Sequence, residues 1–160
     1  EMDTVVGCQG GNKDCLLVLT ERKTRFEYIF KIPDKSQLSV VRVLDNLEHA
    51  YGYENFRATF KTITMDNGTE FLDQIGVERS SLVPGVQRTV AYYCHPYCSF
   101  ERGSNENLNK MVRRHIPKGA DIANYSEEDV EYIQDWMNDY PRPMFGGLSS
   151  REMREQELHS

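Results

Sequence analysis

The sequence contains no long apolar run and few cysteines. No stretch approaches the roughly 20 apolar residues that a helix needs to cross a bilayer, so we expect no membrane association. Acidic Glu1 and Asp3 stand where a signal peptide would carry a basic segment and an apolar run. The four cysteines are too few for a disulfide framework, and we interpret them as reduced thiols. These absences indicate a cytosolic protein.

The chain also has fewer basic than acidic residues. Nineteen Lys and Arg against 25 Asp and Glu give a formal net charge of -6. Proteins that bind phosphate usually carry an electropositive surface, so this balance argues against a nucleic-acid partner. Carboxylates that hold metal ions, however, add negative charge at the point where cations meet the phosphate. The net charge therefore lowers the expectation of DNA binding without excluding it.

The hydrophobic pattern predicts one α/β domain around a mixed sheet. Three runs of β-branched and aromatic residues joined by short turns indicate an antiparallel meander. A helix then leads to two further strands, which implies a crossover connection. Ser36 or Asp34, Ser126, and Ser149 or Ser150 are available as helix N-caps. The predicted strands are 2–8, 15–20, 25–32, 60–65 and 88–93, and the predicted helices are 36–51, 70–75, 105–114, 127–140 and a last one ending at 157.

Three carboxylates stand where a metal site would need them. Asp3 and Asp66 lie on or directly after predicted strands, and Glu106 lies on a predicted helix. Oxygen ligands suit hard divalent cations, and two such ions about 4 Å apart promote in-line phosphoryl displacement. Taken alone, Asp66 is explained as a turn residue, Glu106 as a solvent-facing helix residue and Asp3 as an exposed strand residue. The metal-site hypothesis therefore depends on the three together.

The segments around these acids resemble the catalytic motifs of insertion-sequence transposases. They read EMDTVVG at 1–7, TMDNGTEF at 64–71 and ERGSNENLN at 101–109. The tail, NDYPRP at 138–143 followed by FGGLSSREM at 145–153, is similar to the family's Asn-x-x-Pro-Arg and Gly-x-x-(Thr/Ser)-Pro-x-Glu ending. The resemblance covers essentially the whole chain and is to the insertion-sequence-thirty branch of the retroviral-integrase superfamily.

The resemblance implies a ribonuclease-H-like fold, in which helices flank a five-stranded mixed sheet. It also implies that Asp3, Asp66 and Glu106 are the catalytic residues and bind two Mg²⁺ or Mn²⁺ ions. Residues 1–160 would then be a catalytic core, with no helix-turn-helix module before the first acid. We expect such a protein in the bacterial cytoplasm.

Basic and amide side chains on and after the helix of the third motif are candidate DNA contacts. Arg113 matches the family's basic residue seven positions after Glu106, and seven residues are about two helical turns, which puts both on one helix face. Surface or capping roles are the alternative for each candidate. The candidates are Arg113, Arg114, Lys118, Asn105 and Asn107.

One segment departs from the family pattern. The family commonly has Asp-Pro-Tyr-Ser-Pro-Trp before its third motif, whereas this chain has HPYCSF at 95–100. Two cysteines and a histidine at 94–98 suggest zinc. Structural zinc sites usually add a second compact ligand pair, and Cys8 and Cys15 are spaced too widely to form one. We therefore interpret these cysteines as core or loop thiols.

These observations favour a metal-dependent polynucleotidyl transferase that cuts and joins DNA strands in transposition. Two rival hypotheses share some of its features. One is a ribonuclease-H-type nuclease, which has the acids but releases hydrolysed ends, and the other is a degenerate core that only binds DNA or dimerises. The expected partners are transposon-end and target DNA, and pairing two DNA ends favours a homodimer.

Overall fold

The computed structural model describes residues 1–95 and 105–160, apart from the side chains of residues 105 and 106. Its strands and helices follow the order of an α/β fold. No described helix is long and apolar enough to cross a membrane. The strands are β1 (Met2–Val6), β2 (Cys15–Thr20), β3 (Glu27–Ile32), β4 (Thr62–Met65) and β5 (Val90–Tyr93), and the helices are α1 (Gln37–Tyr51), α2 (Tyr53–Thr59), α3 (Gln74–Glu78), α4 (Asn105–Arg113), α5 (Glu127–Asp139) and α6 (Ser150–Leu158).

The five strands of the described chain fall into two sheets. β1, β2 and β3 form one sheet in that order. Glu1 and Thr20 exchange two main-chain hydrogen bonds of 2.8 Å, so β1 and β2 run antiparallel. β4 and β5 form the other sheet and pair in parallel, with Thr62 opposite Val90. The predicted meander and crossover are confirmed, and the described strands are grouped as a three-stranded and a two-stranded sheet.

The first of two compact units comprises Glu1 and residues 3–31 and 104–160. All six residues of β2 are buried, as its continuous apolar run and its central place in the sheet predict. The apolar faces of α4 and α5 pack against side chains of β1, β2 and β3 in a single cluster. The buried members of this cluster are Val5, Leu16, Val18, Ile29, Leu108, Met111, Val112, Ile116, Ile122, Val130, Ile133 and Met137.

The second unit comprises Met2 and residues 32–103. Its core contains the apolar face of α1, where Val40 and Leu44 are fully buried. Phe56 of α2 is also fully buried, and its ring lies 4.9 Å from that of Phe60. α1 packs on both α2 and α3, and α3 packs on β5. This packing positions the β4-β5 pair, whose carboxyl ends carry the second acidic motif.

Gly52 accounts for a helix that the sequence analysis missed. Gly52 is both the C-cap of α1 and the N-cap of α2. Its φ of +81° is one that glycine adopts without strain, so α2 can follow α1 after this single residue. The prediction ended the helix at Tyr51 and left residues 53–59 unassigned. α2 has only seven residues and buries only Phe56, so its apolar periodicity is too weak to read from sequence.

The predicted helix at 70–75 is wrong in position. The structure has a 3₁₀ turn at Thr69–Phe71, and α3 begins only at Gln74. Asp73 sets this start, because its carboxylate accepts a hydrogen bond of 2.9 Å from the backbone N–H of Gly76. The N-caps predicted for the longer helices are confirmed, with Ser36, Ser126 and Ser149 as the capping residues.

Arg88, just before β5, is a fully buried guanidinium. It makes ion pairs with two acids of α1, at 3.0 Å to Glu48 and 2.6 Å to Asp45. Its remaining donors reach the carbonyl oxygens of Gly76 at 2.8 Å and Val77 at 2.9 Å, both in α3. A single side chain therefore joins α1, α3 and the start of β5.

Glu48 is the buried carboxylate of this group. Burial alone would raise its pKa, but hydrogen bonds from Ser80, from the N–H and hydroxyl of Ser81, and from Arg88 lower the pKa to about 2. The carboxylate is therefore charged across the physiological pH range. Its charge compensates that of Arg88 in the unit's interior.

Replacing Arg88 by Met will test this group. The variant leaves Glu48 buried without its cation, and such a loss costs about 3 to 5 kcal/mol of unfolding free energy. Urea denaturation of the variant and the parent measures this loss of unfolding free energy. Arg79→Met is the matched control, because Arg79 reaches the same Asp45 at 3.2 Å from a half-exposed position, and a pair of that kind contributes at most about 1 kcal/mol. Equal losses in the two variants would contradict the assigned role.

Glu27 is a buried carboxyl of the first unit. Its side chain accepts a hydrogen bond of 2.6 Å from the Thr20 hydroxyl. Its backbone N–H and C=O both pair with the Asn138 side chain, at 2.8 and 2.9 Å. Burial raises its pKa from 4.5 to about 7, although the Thr20 hydroxyl and the charge of Arg142 act in the opposite direction.

This raised pKa predicts a pH-dependent stability. Between pH 4.5 and about 7 the folded chain keeps a proton on Glu27 that the unfolded chain releases, so stability falls as pH rises through this window. The full loss is about 3 kcal/mol. Glu27→Gln removes this pH dependence. The unfolding free energy of the variant minus that of the parent should therefore be larger at about pH 8 than at about pH 5. Glu131→Gln on the exposed face of α5 is the control, and a Glu27→Gln variant that behaved like it would refute the prediction.

Candidate functional site

Asp66 lies in the turn that follows β4. The strand ends at the fully buried Met65, and the next residue is Asp66, which is half-buried. Its Oδ1 accepts a hydrogen bond of 2.8 Å from the backbone N–H of Gly68. This is the turn that Asp-Asn-Gly predicts. The hydrogen bond restrains the carboxylate at the end of the strand.

The same turn is tied to β5. Asn67 Nδ2 donates to the carbonyl oxygen of Cys94 at 3.0 Å, and the N–H of Cys94 donates to the carbonyl oxygen of Met65 at 2.8 Å. Because β4 and β5 are parallel, their carboxyl ends meet at one edge. The carboxyl edge of parallel strands is the usual location of ligand sites in α/β folds.

Glu70 brings a second carboxylate to this turn, and the sequence analysis missed it. A Cβ built on Gly68 would lie 2.6 Å from Glu70 Oε2 and 2.9 Å from Asp66 Oδ1, so both carboxylates border the same small space. Glu70 is only 3% exposed, and its other oxygen lies 3.6 Å from the ammonium of Lys35. No local sequence signal marks this proximity, because it depends on the geometry of the turn and of the 3₁₀ segment that follows.

Asp3 lies on β1, in the first unit. It is half-buried, and Val5 of the same strand points into the apolar cluster. In its sheet β1 lies beside the wholly buried β2. The fold thus places Asp3 on a rigid element at the margin of a core.

Glu106 is the second residue of α4, and its side chain lies outside the described residues. α4 packs through Leu108, Met111 and Val112 on the cluster that includes Val5 of β1. The strand that carries Asp3 and the helix that carries Glu106 therefore share one core, whereas Asp66 belongs to the second unit.

Carboxylate oxygens are the ligands that hard divalent cations prefer, so the three predicted acids suit Mg²⁺ or Mn²⁺ in chemical type. Among the described side chains, which do not include that of Glu106, no three His, Cys, Asp or Glu form a group that could hold a metal ion. The shared metal role of Asp3, Asp66 and Glu106 therefore stays a prediction.

The predicted DNA-contacting side chains have different surroundings. Arg113 donates to the carbonyl oxygens of Val6 at 3.1 Å and Ile116 at 3.5 Å, which ties the end of α4 to the end of β1. Arg114 lies over the Trp136 and Tyr140 rings of α5, at 5.9 and 5.4 Å from their centroids. Asn107 and Lys118 are exposed, and the side chain of Asn105 lies outside the described residues.

Three of the four cysteines are described, and none of these three forms a disulfide. Cys15 and Cys94 are buried and Cys8 is half-buried, whereas Cys98 lies outside the described residues. The prediction of reduced core or loop thiols is confirmed for these three. The departure from the family pattern at 95–100 falls almost wholly outside the described part of the chain.

No protein-family model matches the sequence. The chain is 30% identical over 159 residues to a transposase of insertion sequence element IS4351 from Bacteroides fragilis. This match covers 99% of this chain and 45% of that protein. It is 26% identical over 156 residues to the transposase InsI of element IS30C from Escherichia coli K12. This second match covers 98% of this chain and 37% of that protein. The chain thus spans less than half the length of these relatives.

The fold also matches a solved structure. The catalytic core domain of BIV integrase superposes with a TM-score of 0.66 at 20% identity, over 99% of this chain and 93% of that domain. This likeness confirms the predicted ribonuclease-H-like fold. Over nearly its whole length the chain is therefore similar in sequence to insertion-sequence transposases, and it has the fold of a retroviral-integrase catalytic core.

Proposed function

We propose that this chain is the catalytic core of a metal-dependent polynucleotidyl transferase that cuts and joins DNA strands in transposition. The observation that carries the proposal is the sequence similarity to a transposase over 99% of the chain. The resemblance of the segments around Asp3, Asp66 and Glu106 to transposase motifs supports it. The position of Asp66 at the carboxyl edge of the parallel β4-β5 pair supports it.

In this proposal Asp3, Asp66 and Glu106 hold two Mg²⁺ or Mn²⁺ ions. When bound, such ions activate an attacking oxygen and stabilise the leaving one. The N–H of Gly68 orients the Asp66 carboxylate, and the packing of α4 on β1 holds the elements of the other two acids together. Fixed carboxylates suit phosphoryl transfer, because its rate depends on the position of the reacting groups.

The reaction proceeds in two displacements. In the first, the oxygen of water bonds to the phosphorus at the element's end, and the 3' oxygen leaves and takes up a proton. In the second, that 3' hydroxyl loses its proton and attacks a phosphodiester of the target DNA, which releases a target 3' hydroxyl. Both steps exchange one P–O bond for another, so no oxidant or energy source is required.

The DNA contacts belong to the side chains on and after α4. Arg113 uses two donors on carbonyl oxygens, and a guanidinium with five donors keeps others for a phosphate. Arg114 lies over the Trp136 and Tyr140 rings, and a guanidinium can make such a contact while its N–H groups donate to a phosphate. Lys118, Asn105 and Asn107 complete the proposed set, and a dimer would bring two DNA ends together.

A strand-transfer assay with the full-length protein tests the proposal. Asp66→Asn should lower both cleavage and joining by on the order of 1,000-fold in Mg²⁺ or Mn²⁺, because the variant loses a metal ligand. Glu128→Gln, an exposed acid in the first turn of α5, is the matched control and should keep full activity. Unchanged activity in Asp66→Asn would refute the assignment. Cleavage without joining by the parent protein would instead indicate a nuclease, and the absence of both would indicate a degenerate core.

Gly68→Ala tests the space between the two carboxylates. The new methyl group would collide with Glu70 Oε2 and Asp66 Oδ1, so the carboxylates must shift, and we expect about a tenfold loss of strand transfer. The φ of Gly68 is -58°, which alanine adopts without strain, so the unfolding free energy should change little. Thr69→Ala is the neighbouring exposed control. Full activity in Gly68→Ala would show that the position of Asp66 is not critical.

A further inference from the structure

A pocket at the amino ends of β4 and β5 is lined by basic and polar side chains. Its volume is about 270 Å³. It lies wholly within the second unit, and none of its lining residues is acidic. We refer to it as the cationic pocket, and its lining residues are Arg57, Lys61, Gln87, Thr89 and Val90.

The cationic pocket is separate from the acidic turn of the same unit. In the parallel pair, Thr62 lies opposite Val90 at one end and Met65 lies opposite Tyr93 at the other. Val90 lines the pocket, whereas Asp66 directly follows Met65. Three residues of strand correspond to about 10 Å. The pocket and Asp66 therefore stand at opposite ends of the β4-β5 pair.

Tyr53 holds one cation of the pocket in place. Arg57 Nη1 donates to the Tyr53 hydroxyl at 3.0 Å, and that hydroxyl donates to the carbonyl oxygen of Gln87 at 3.2 Å. This chain of hydrogen bonds links α2 to the segment before β5. A guanidinium fixed in this way has lost part of its side-chain freedom before any ligand arrives, which favours binding.

Thr89 supplies the observation that points to a ligand. The residue lines the pocket and is 3% exposed. Its Oγ1 atom is buried and has no hydrogen-bond partner among the described residues. Buried hydroxyls in native proteins are nearly always paired, because an unmade hydrogen bond is unfavourable. Rotation of the Thr89 side chain about χ1 would present this hydroxyl to a ligand with acceptor oxygens in the pocket.

We propose that the cationic pocket binds a phosphate group. Arg57 and Lys61 supply positive charge, and the Thr89 hydroxyl donates a hydrogen bond to a phosphate oxygen. Duplex DNA and free phosphate both carry this group. DNA as the source rests on the proposed transposase function, and there the pocket is a backbone contact that positions the duplex away from the acids. Phosphate recognition itself does not depend on that function.

Calorimetric titration of the chain with inorganic phosphate in a chelating buffer tests the pocket without metal or catalysis. Arg57→Gln and Thr89→Val should each weaken phosphate binding by about fivefold or more. Thr89→Val should also keep or raise the unfolding free energy, because it removes the unpaired hydroxyl. Lys13→Gln and Thr62→Val, both at exposed positions, are the charge and size controls. Unchanged binding in both pocket variants, or no phosphate binding by the parent chain, would overturn the proposal.

A second titration with a short DNA duplex at several salt concentrations identifies the source. If the DNA backbone occupies the pocket, Arg57→Gln should reduce the slope of log affinity against log salt by about 1. Weaker phosphate binding with an unchanged DNA slope would keep the phosphate site and overturn DNA as its source. Neither result depends on strand transfer, so failure of the pocket and failure of the transposase proposal are distinguishable.

Discussion

The second unit depends on the burial of the Arg88 guanidinium. A charge in an interior is tolerated only where other charges and dipoles compensate it. Here Glu48 and Asp45 of α1 and the carbonyl oxygens of α3 do so, which fixes both helices relative to the start of β5. β5 in turn pairs with β4, and the ends of those strands carry the two features of functional interest.

Those two features have opposite charge. At the carboxyl ends of the pair, the turn of Asp66 and Glu70 concentrates carboxylates, and at the amino ends Arg57 and Lys61 concentrate cations. A net charge of -6 averages over such regions and so predicts little about where a polyanion can bind. The proposed metal ions at the acids and the cationic side chains of the pocket would contact phosphate in two separate ways, one at each end of the strands.

The sequence predicted the strands and the capped helices because their signals are local. Ser126 illustrates this, since cap and first turn lie within four residues and form a capping box with Asp129. The misses have physical causes too. α2 depends on the left-handed backbone of Gly52, and the role of Arg88 depends on partners more than ten residues distant along the chain. The proximity of Glu70 to Asp66 required the turn's geometry, which residue types alone do not specify.

The proposed site requires that acids from different parts of the chain hold divalent metal. Its most direct test is a calorimetric titration of the chain with Mn²⁺, run beside Asp66→Asn, Glu106→Gln and the control Glu128→Gln. We expect the parent chain and the control to bind Mn²⁺ and both site variants to lose this binding. Undiminished Mn²⁺ binding in both Asp66→Asn and Glu106→Gln would contradict it.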